Sequence, residues 1–533
     1  MRKSKPKFLV TKNEVIEAYL RAYKKHGKVS FDLLKDLGVN RCNVRTHFKN
    51  IDNLHSEMRE EYPNDFNEIT LKEAMSNQNI KSILSQIKGC KIFVVTTAVM
   101  SGKVHIGFYN SIKNYCNIRN GKLLLEISSN SGNKGEMIDS VLSNEIIVRE
   151  HIHLNKNLTI SPIKINSKSV DPLTGLERIS QKHGSSIYAS PKQRLKFVPI
   201  NNVGIPRAIM TTGAITIANY KAKTAINEKS TLISDADHVL GAIIVEVQDD
   251  RIFHFRQIQA DSQGHFIDLG LEYGPTGKPQ KILGSTFIPG DLHGDSADPG
   301  VIECFKEMSK KIDFDKIVVH DIFDGKSVNP HELDDIILRS QRAEKGELNL
   351  RDEIKRVVQD IDTMLSLGKQ LVIVASNHDA FLERYLKEGL YVKDPQNHRL
   401  CLDIACRVMD GENALKAATE IVNGRKVSGT VKWLKIDEDY KIAGCQMGAH
   451  GHLGPSGTKG TLKGMELAYN NCFTAHTHAA QILRNAWCTG TSTFLQLSYN
   501  FGPSAWTNTA GVLYPNGNKQ LLHVIFNQWR LVN

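Results

Sequence analysis

The sequence predicts an α/β protein with a small helical unit in front of it, and three observations carry that prediction. Residues 11–60 show helical spacing alone. Between 91 and 128 an apolar β-rich run, a helical run and a second apolar run follow one another. From 284 onward apolar strands alternate with helical segments, and polar, metal-type residues close each strand. Strands alternating with helices build parallel sheets covered by helices. At 533 residues the chain is long for a single core and suits two or three domains.

The first unit spans residues 1–62. In "TKNEVIEAYLRAYKKHG", Val15, Ile16, Tyr19, Leu20 and Tyr23 recur at helical spacing, with a Thr or Asn cap in front and His-Gly behind. "SFDLLKDLGVNRCNVRTHFKN" then gives a short helix from Phe31 to Leu37, a turn at Gly38, and a second helix carrying Val44, His47 and Phe48. Helix, glycine-containing turn, helix is the layout of a helix-turn-helix. Its second helix would display Arg41, Asn43, Arg45 and Thr46, and Arg and Asn are side chains that grip bases or phosphates. Three-helix units that bind only protein share the layout. Charge tips the reading toward DNA, since residues 1–60 hold 14 Lys+Arg against 7 Asp+Glu within a chain of net charge +11.

Residues 63–89 read as a helical connector and 90–283 as an α/β and β-rich accessory domain. "KIFVVTTAVM", "VHIGFYNSIKNYCNIRN" and "KLLLEIS" form a strand–helix–strand unit, whereas the short β-like runs of 140–290, such as "AIIVEV" and "RIFHFRQIQ", specify no fold. "TTAVMSGK" lacks the spacing of a phosphate-binding loop. Residues 178–227 form a second basic zone, with eight Lys+Arg and no acid. Within it Lys192, Arg194 and Lys196 in "SPKQRLKF" read as a phosphate track; burial of their stems against a partner subunit is the alternative.

Composition excludes several classes. Hydrophobic content of 41% and charged content of 23% are those of a globular protein. No run approaches the roughly 18 apolar residues of a membrane span, and "MRKSKPKFLV" leads into "TKNEVIEAY" rather than the apolar stretch of a signal peptide. A cytoplasmic protein with no membrane partner is expected. Nine scattered cysteines without a CxxC pair argue for free thiols rather than disulfides or a zinc finger.

The chemistry lies in residues 284–533. Asp291 and His293 follow "STFIPG", Asp321 follows "KIVVH", and Asn377, His378 and Asp379 follow "QLVIVAS". His450 and His452 lie in "GAHGHLG", and His476 and His478 in "TAHTH". One buried histidine is more often a hydrogen-bonded core residue than a ligand. Five clusters at successive strand ends, where α/β sheets place their sites, favour a metal centre.

The ordered set "DLH" (291–293), "HDIFD" (320–324), "SNHD" (376–379), "AHGH" (449–452) and "AHTH" (475–478) resembles the motifs of the calcineurin-like metallophosphoesterases, which run DxH, GDxxD, GNHD or GNHE, an isolated His, then GHxH. The resemblance covers roughly residues 284–533 and implies a sandwich of β-sheets flanked by helices. By motif, Asp291, His293 and His478 would hold one divalent cation and Asn377, His450 and His476 a second, with Asp321 bridging them. His452 is the rival to His450, which comes first after its strand. The donor set of Asp, His and Asn suits Mn²⁺ and other first-row ions. The implied reaction is in-line hydrolysis of a phosphodiester between two cations, with His378 assisting departure of the alcohol. Asp379 would orient His378 or serve the turn. This chain departs from the family at three glycines, replaced by His320, Ser376 and Ala475. Of two further residues, His331 would reach the phosphate or simply be exposed, and Trp506 would stack on a base or sit in the core.

The motifs are shared by phosphatases, nucleotidases and the Mre/SbcD-type nucleases. The helix-turn-helix-like start and the basic zones favour a long polyanion, and the arrangement as a whole is similar to the pre-early DNases of T-odd siphophages, which degrade host DNA. That resemblance implies a Mn²⁺-dependent nuclease in the bacterial host cytoplasm, and nucleases of this type often pair, so a homo-oligomer is expected. A phosphomonoesterase, nucleotidase or protein phosphatase would instead cleave free phosphomonoesters and ignore loss of residues 1–60. A non-catalytic DNA-binding regulator would bind DNA without metal-dependent turnover.

Overall fold

The computed structural model describes residues 10–26, 29–61, 68–76, 78–129, 136–201, 205–220, 228–426, 429–436, 438–497 and 499–532. They divide into two compact units, residues 1–77 with 134–144, and residues 78–133 with 145–533. Among them no helix is long and apolar enough to cross a membrane.

The first unit is built on four helices, Lys12–His26, Phe31–Asp36, Arg41–Phe48 and Ile51–Glu61. Val15, Tyr19, Leu34, Val44, Phe48, Leu54 and Met58 meet in its core. Gly38 takes the left-handed turn between the second and third helices (φ 85°). Asn40 caps the third helix, accepting from the Cys42 and Asn43 amides, and Asn43 returns the bond by accepting from the Asn40 amide at 2.9 Å. A short strand, Glu68–Thr70, pairs antiparallel with Met137–Asp139. The expected boundary at 62/63 lies outside the described residues, as do the basic stretch 1–9 and Lys221 and Lys223 of the second basic zone.

In the second unit the expected strand–helix–strand unit is present, with Ile92–Val99 and Lys122–Ser128 parallel across the helix Ile106–Arg119. These strands belong to a five-stranded sheet. A six-stranded sheet runs in the order Val431–Trp433, Gln370–Ile373, Phe314–Val319, Ser285–Ile288, Thr509–Leu513, Lys519–His523, and its first four strands are parallel. Successive side chains on a strand point to opposite faces, and here both faces are apolar. Phe287, Ile317, Val319, Leu371 and Ile373 pack with the helices Pro299–Lys311, Leu350–Leu365 and Ala414–Asn423. Ile288, Val318 and Val372 pack with Phe93, Ile187, Leu195, Phe473 and Trp487 from the other sheets. Burying one such side chain contributes about 1.5–3 kcal/mol, so both layers hold the sheet in place.

The predicted division at 283/284 is corrected by a ten-stranded sheet. Its order places Gln481–Leu483 against Arg194–Val198, joining strands of 152–211 to strands of 441–488. Residues 90–283 are therefore no separate domain but contribute half of a shared sheet. The predicted connector also divides, since Ile83 and Ile87 of the helix Ile80–Ile87 lie in the second unit's core.

Candidate metal centre

The parallel strands deliver their polar residues to one end of the sheet. Asp291, three residues beyond Ser285–Ile288, forms a parallel bridge with His320, which directly follows Phe314–Val319. Asn377 and His378 follow Gln370–Ile373. His450 comes from the loop after Cys445–Gln446, and His476 and His478 from the turn after Cys472–Thr474.

Asp291, His293, Asp321 and His478 are buried, and their ligand atoms all lie within 4.8 Å of one another. The Asp291 Oδ2 is 2.9 Å from His478 Nε2 and accepts the His476 amide at 2.8 Å. The Nε2 atoms of His293 and His478 face each other at 3.1 Å. Asp321 Oδ2 lies 3.5 Å from His293 Nε2 and 3.2 Å from His450 Nε2. His450 Nε2 is 3.0 Å from Asn377 Oδ1, and the rings of His450 and His476 are 5.1 Å apart. Asp321 thus stands between two groups of donors. His450 occupies the second group, whereas half-buried His452 neighbours it only ring to ring, at 5.2 Å from His450 and 6.0 Å from His476.

The electrostatics suit a cation. Burial opposes ionisation of Asp321, yet the charges of His450 and His378 hold its carboxyl well below the usual range. Asp291 is held down in the same way by His450 and His478. Burial pushes His476 and His452 down to about 4, so both are neutral, lone-pair-bearing imidazoles at neutral pH. Among the described residues, the buried Asp291 Oδ1 and His478 Nδ1 have no hydrogen-bond partner. Two carboxylates and converging imidazoles without a thiol fit a hard or borderline divalent ion.

His378 lies at the rim. Its Nδ1 is 2.8 Å from the Asp324 carbonyl and 3.7 Å from Asp324 Oδ1. Asp324 also faces His293 Nδ1 at 3.4 Å and accepts from Ser296 Oγ at 2.8 Å. Asp379, expected either to orient His378 or to serve a turn, directs its side chain to the segment that follows Phe314–Val319. Its Oδ1 accepts the Phe323 amide at 3.2 Å, and burial followed by the charge of Asp321 pushes its carboxyl up to about 7. Exposed His331 sits beyond Phe381, ring to ring at 5.8 Å, and Phe381 in turn lies 4.8 Å from His378. Half-buried Trp506 packs against His478 at 4.1 Å between ring centroids.

The departures from glycine have a backbone explanation. Four of the candidate donors themselves are left-handed, His293 (φ 49°), Asp321 (φ 44°), His476 (φ 70°) and His478 (φ 56°). Positions 320, 376 and 475 are not among the positive-φ residues, so they need no glycine. Strain of this kind clusters at functional sites. His320 fills the space behind the cluster, its Nδ1 3.4 Å from that of His450, and burial with the neighbouring His450 charge pushes it down to about 4.

The predicted DNA contacts are partly corrected. Lys192 and Arg194 are buried and face Asp237, each at 3.5 Å, so they cannot form a phosphate track. Lys196 is exposed and paired with Glu177. Asn43 uses its carboxamide oxygen as a helix cap, Arg41 is exposed with its guanidinium over the Phe31 ring, and Arg45 is exposed. Asp324 lies inside "HDIFD", but the motif alone gives it no role. Thr491, whose hydroxyl donates to the Asp291 carbonyl at 2.9 Å, is marked by no motif.

No protein-family model matches the chain. Protein A1 of Escherichia phage T5 is 27% identical to it over 475 residues, 82% of each protein. The crystal structure of Vps29 from Chaetomium thermophilum matches 33% of this chain and 93% of its own at 12% identity, with a TM-score of 0.21 that is too low to assign a fold. The chain is therefore similar along most of its length to a bacteriophage protein.

Proposed function

We propose that this protein is a metal-dependent nuclease that hydrolyses the phosphodiester bonds of DNA at a two-cation centre, degrading host DNA in the bacterial cytoplasm during phage infection. One observation carries the reading: four buried ligand residues from three separate parts of the chain, Asp291 with His293, Asp321, and His478, converge within 4.8 Å. Similarity to a T5 protein supports the phage setting, and the positive excess of residues 1–60 supports a DNA partner.

Asp291, His293 and His478 would hold one cation, Asn377, His450 and His476 the other, and Asp321 both, since a carboxylate has two oxygens to share. Divalent ions bound there, Mn²⁺ in this reading, supply positive charge against the phosphate and acidity for an attacking water. The chain's own residues do the rest. The Asp324 carbonyl can only accept, so His378 Nδ1 carries a hydrogen and donates to it. The ring atom left to face the leaving oxygen is then Nε2.

The test is incubation of supercoiled and linear DNA with the purified protein, with and without Mn²⁺, beside Asp321→Ala and His378→Ala. The parent should cut only with metal. Asp321→Ala should lose cation binding and cutting together. His378→Ala should bind cations as the parent does, by calorimetric titration, yet cut about 10²–10⁴-fold more slowly, the range of a general acid. Variants that cut as fast as the parent would refute these roles.

A further inference from the structure

We propose that Tyr499 and Trp506, with exposed Phe494 and Phe501 on the same stretch of chain, form a stacking platform for unpaired bases, so that the DNA admitted to the metal centre is a single strand or a splayed end rather than intact duplex. The inference rests on the phosphodiesterase reading above and deepens it.

The segment is tied to the metal centre at both ends. Before it, the Thr491 hydroxyl holds the Asp291 carbonyl at 2.9 Å and the Phe494 amide donates to the Ser296 carbonyl at 3.1 Å. After it, the Thr507 amide donates to the His478 carbonyl at 2.9 Å, and Asn508 Nδ2 donates to the Thr491 and Thr493 carbonyls. Between these anchors several described residues are hydrogen-bonded. Asn500 accepts the Leu497 amide at 2.7 Å and donates to the Leu495 carbonyl at 2.9 Å, and Ser504 pairs with Ile200 through two backbone bonds.

From this frame two aromatic rings continue away from His478. Trp506 lies against His478, and Tyr499 lies 5.9 Å from Trp506 at an interplanar angle of 62°. Phe494, Tyr499 and Phe501 are 49%, 47% and 81% exposed. Single exposed apolar side chains are ordinary. Three exposed aromatic residues within eight, one of them in ring contact with a Trp that packs on His478, are more than that and call for an occupant. A nucleic-acid strand supplies one, since its phosphates go to the centre and its apolar base faces remain to be covered. Within a duplex those faces are stacked on each other, and only the base edges show in the grooves. Unpaired bases offer the faces, and an aromatic ring can stack on any of them whatever the sequence.

The test is fluorescence anisotropy with the full-length protein in chelator, which prevents cutting. The probes are a labelled oligothymidine and an abasic oligomer of equal length. Equal phosphate counts cancel the charge contribution, so the ratio of the two affinities reports stacking. The parent should prefer oligothymidine by about tenfold or more. Tyr499→Ala/Phe501→Ala should bring the ratio close to one, and Tyr499→Phe should keep it. Phe501→Ala alone, at a site 81% exposed, should lower the ratio without touching the core. No preference in the parent, or full preference in the double variant, overturns the platform. Failure of the parent to hydrolyse oligothymidine with Mn²⁺ sinks the phosphodiesterase reading instead, and the substrate assignment with it.

Discussion

Asp360, on the helix Leu350–Leu365, is buried with Oδ2 lacking a hydrogen-bond partner, although Arg356 Nε stands 3.6 Å from Oδ1. Burial outweighs that cation, and the carboxyl is pushed up to about 7. The folded state therefore holds a proton that the unfolded chain, with an ordinary aspartate near 3.9, has released. Stability falls as pH rises between those values. Asp360→Asn should match the parent in thermal unfolding at pH 4 and exceed it at pH 8; an equal difference at both would refute the assignment. At this scale much of the candidate metal centre is legible. Asp291, His293, Asp321 and His478 stand out because they recur in clusters at successive strand ends, not because any one of them is unusual alone. Asp324 was less legible, because its effect passes through His293 and His378. The burial of Lys192 and Arg194 was illegible, since their partner Asp237 lies beyond the basic zone in sequence.

Loops at the strand ends carry the donors, and close backbone approach fixes them. Gly460 is the clearest case. Its amide donates to the His452 carbonyl, and a Cβ at this position would stand 1.8 Å from the Gly451 carbonyl oxygen. Gly460→Ala must displace the segment holding His450 and His452. Cation affinity measured by calorimetry should fall about 10- to 100-fold, as when supports behind metal ligands are removed, while far-ultraviolet circular dichroism stays unchanged. Parent-like affinity would show that the loop is not what positions His450. The four parallel strands of the six-stranded sheet differ in how plainly they read. Ser285–Ile288, Phe314–Val319 and Gln370–Ile373 announce themselves as apolar runs with helices between them. The ten-stranded sheet does not, because strands of two to five residues pair across gaps that no local period records.

Across the molecule, part of the chain's excess of positive charge lies on the N-terminal helices, where Arg41 and Arg45 are exposed. If that unit holds DNA through phosphates, Arg41→Ala/Arg45→Ala should weaken duplex binding regardless of sequence. It should also lower the slope of log affinity against log salt by about 2, one per lost contact. An unchanged slope in a salt titration would assign the helices to another partner. Layered α/β order was visible from the alternation of strands and helices, but the merging of residues 152–211 with 441–488 was not.

That merger also governs timing. The strand Arg194–Val198 finds one neighbour close by, in Arg207–Thr211, and its other in Gln481–Leu483. While a ribosome has yet to reach residue 481, that edge stands open to wrong partners, and pairings so distant along a polypeptide close late. A nascent chain thus seals this edge, and gains the His476 and His478 side chains beside Asp291, only once the stretch around residue 480 has emerged.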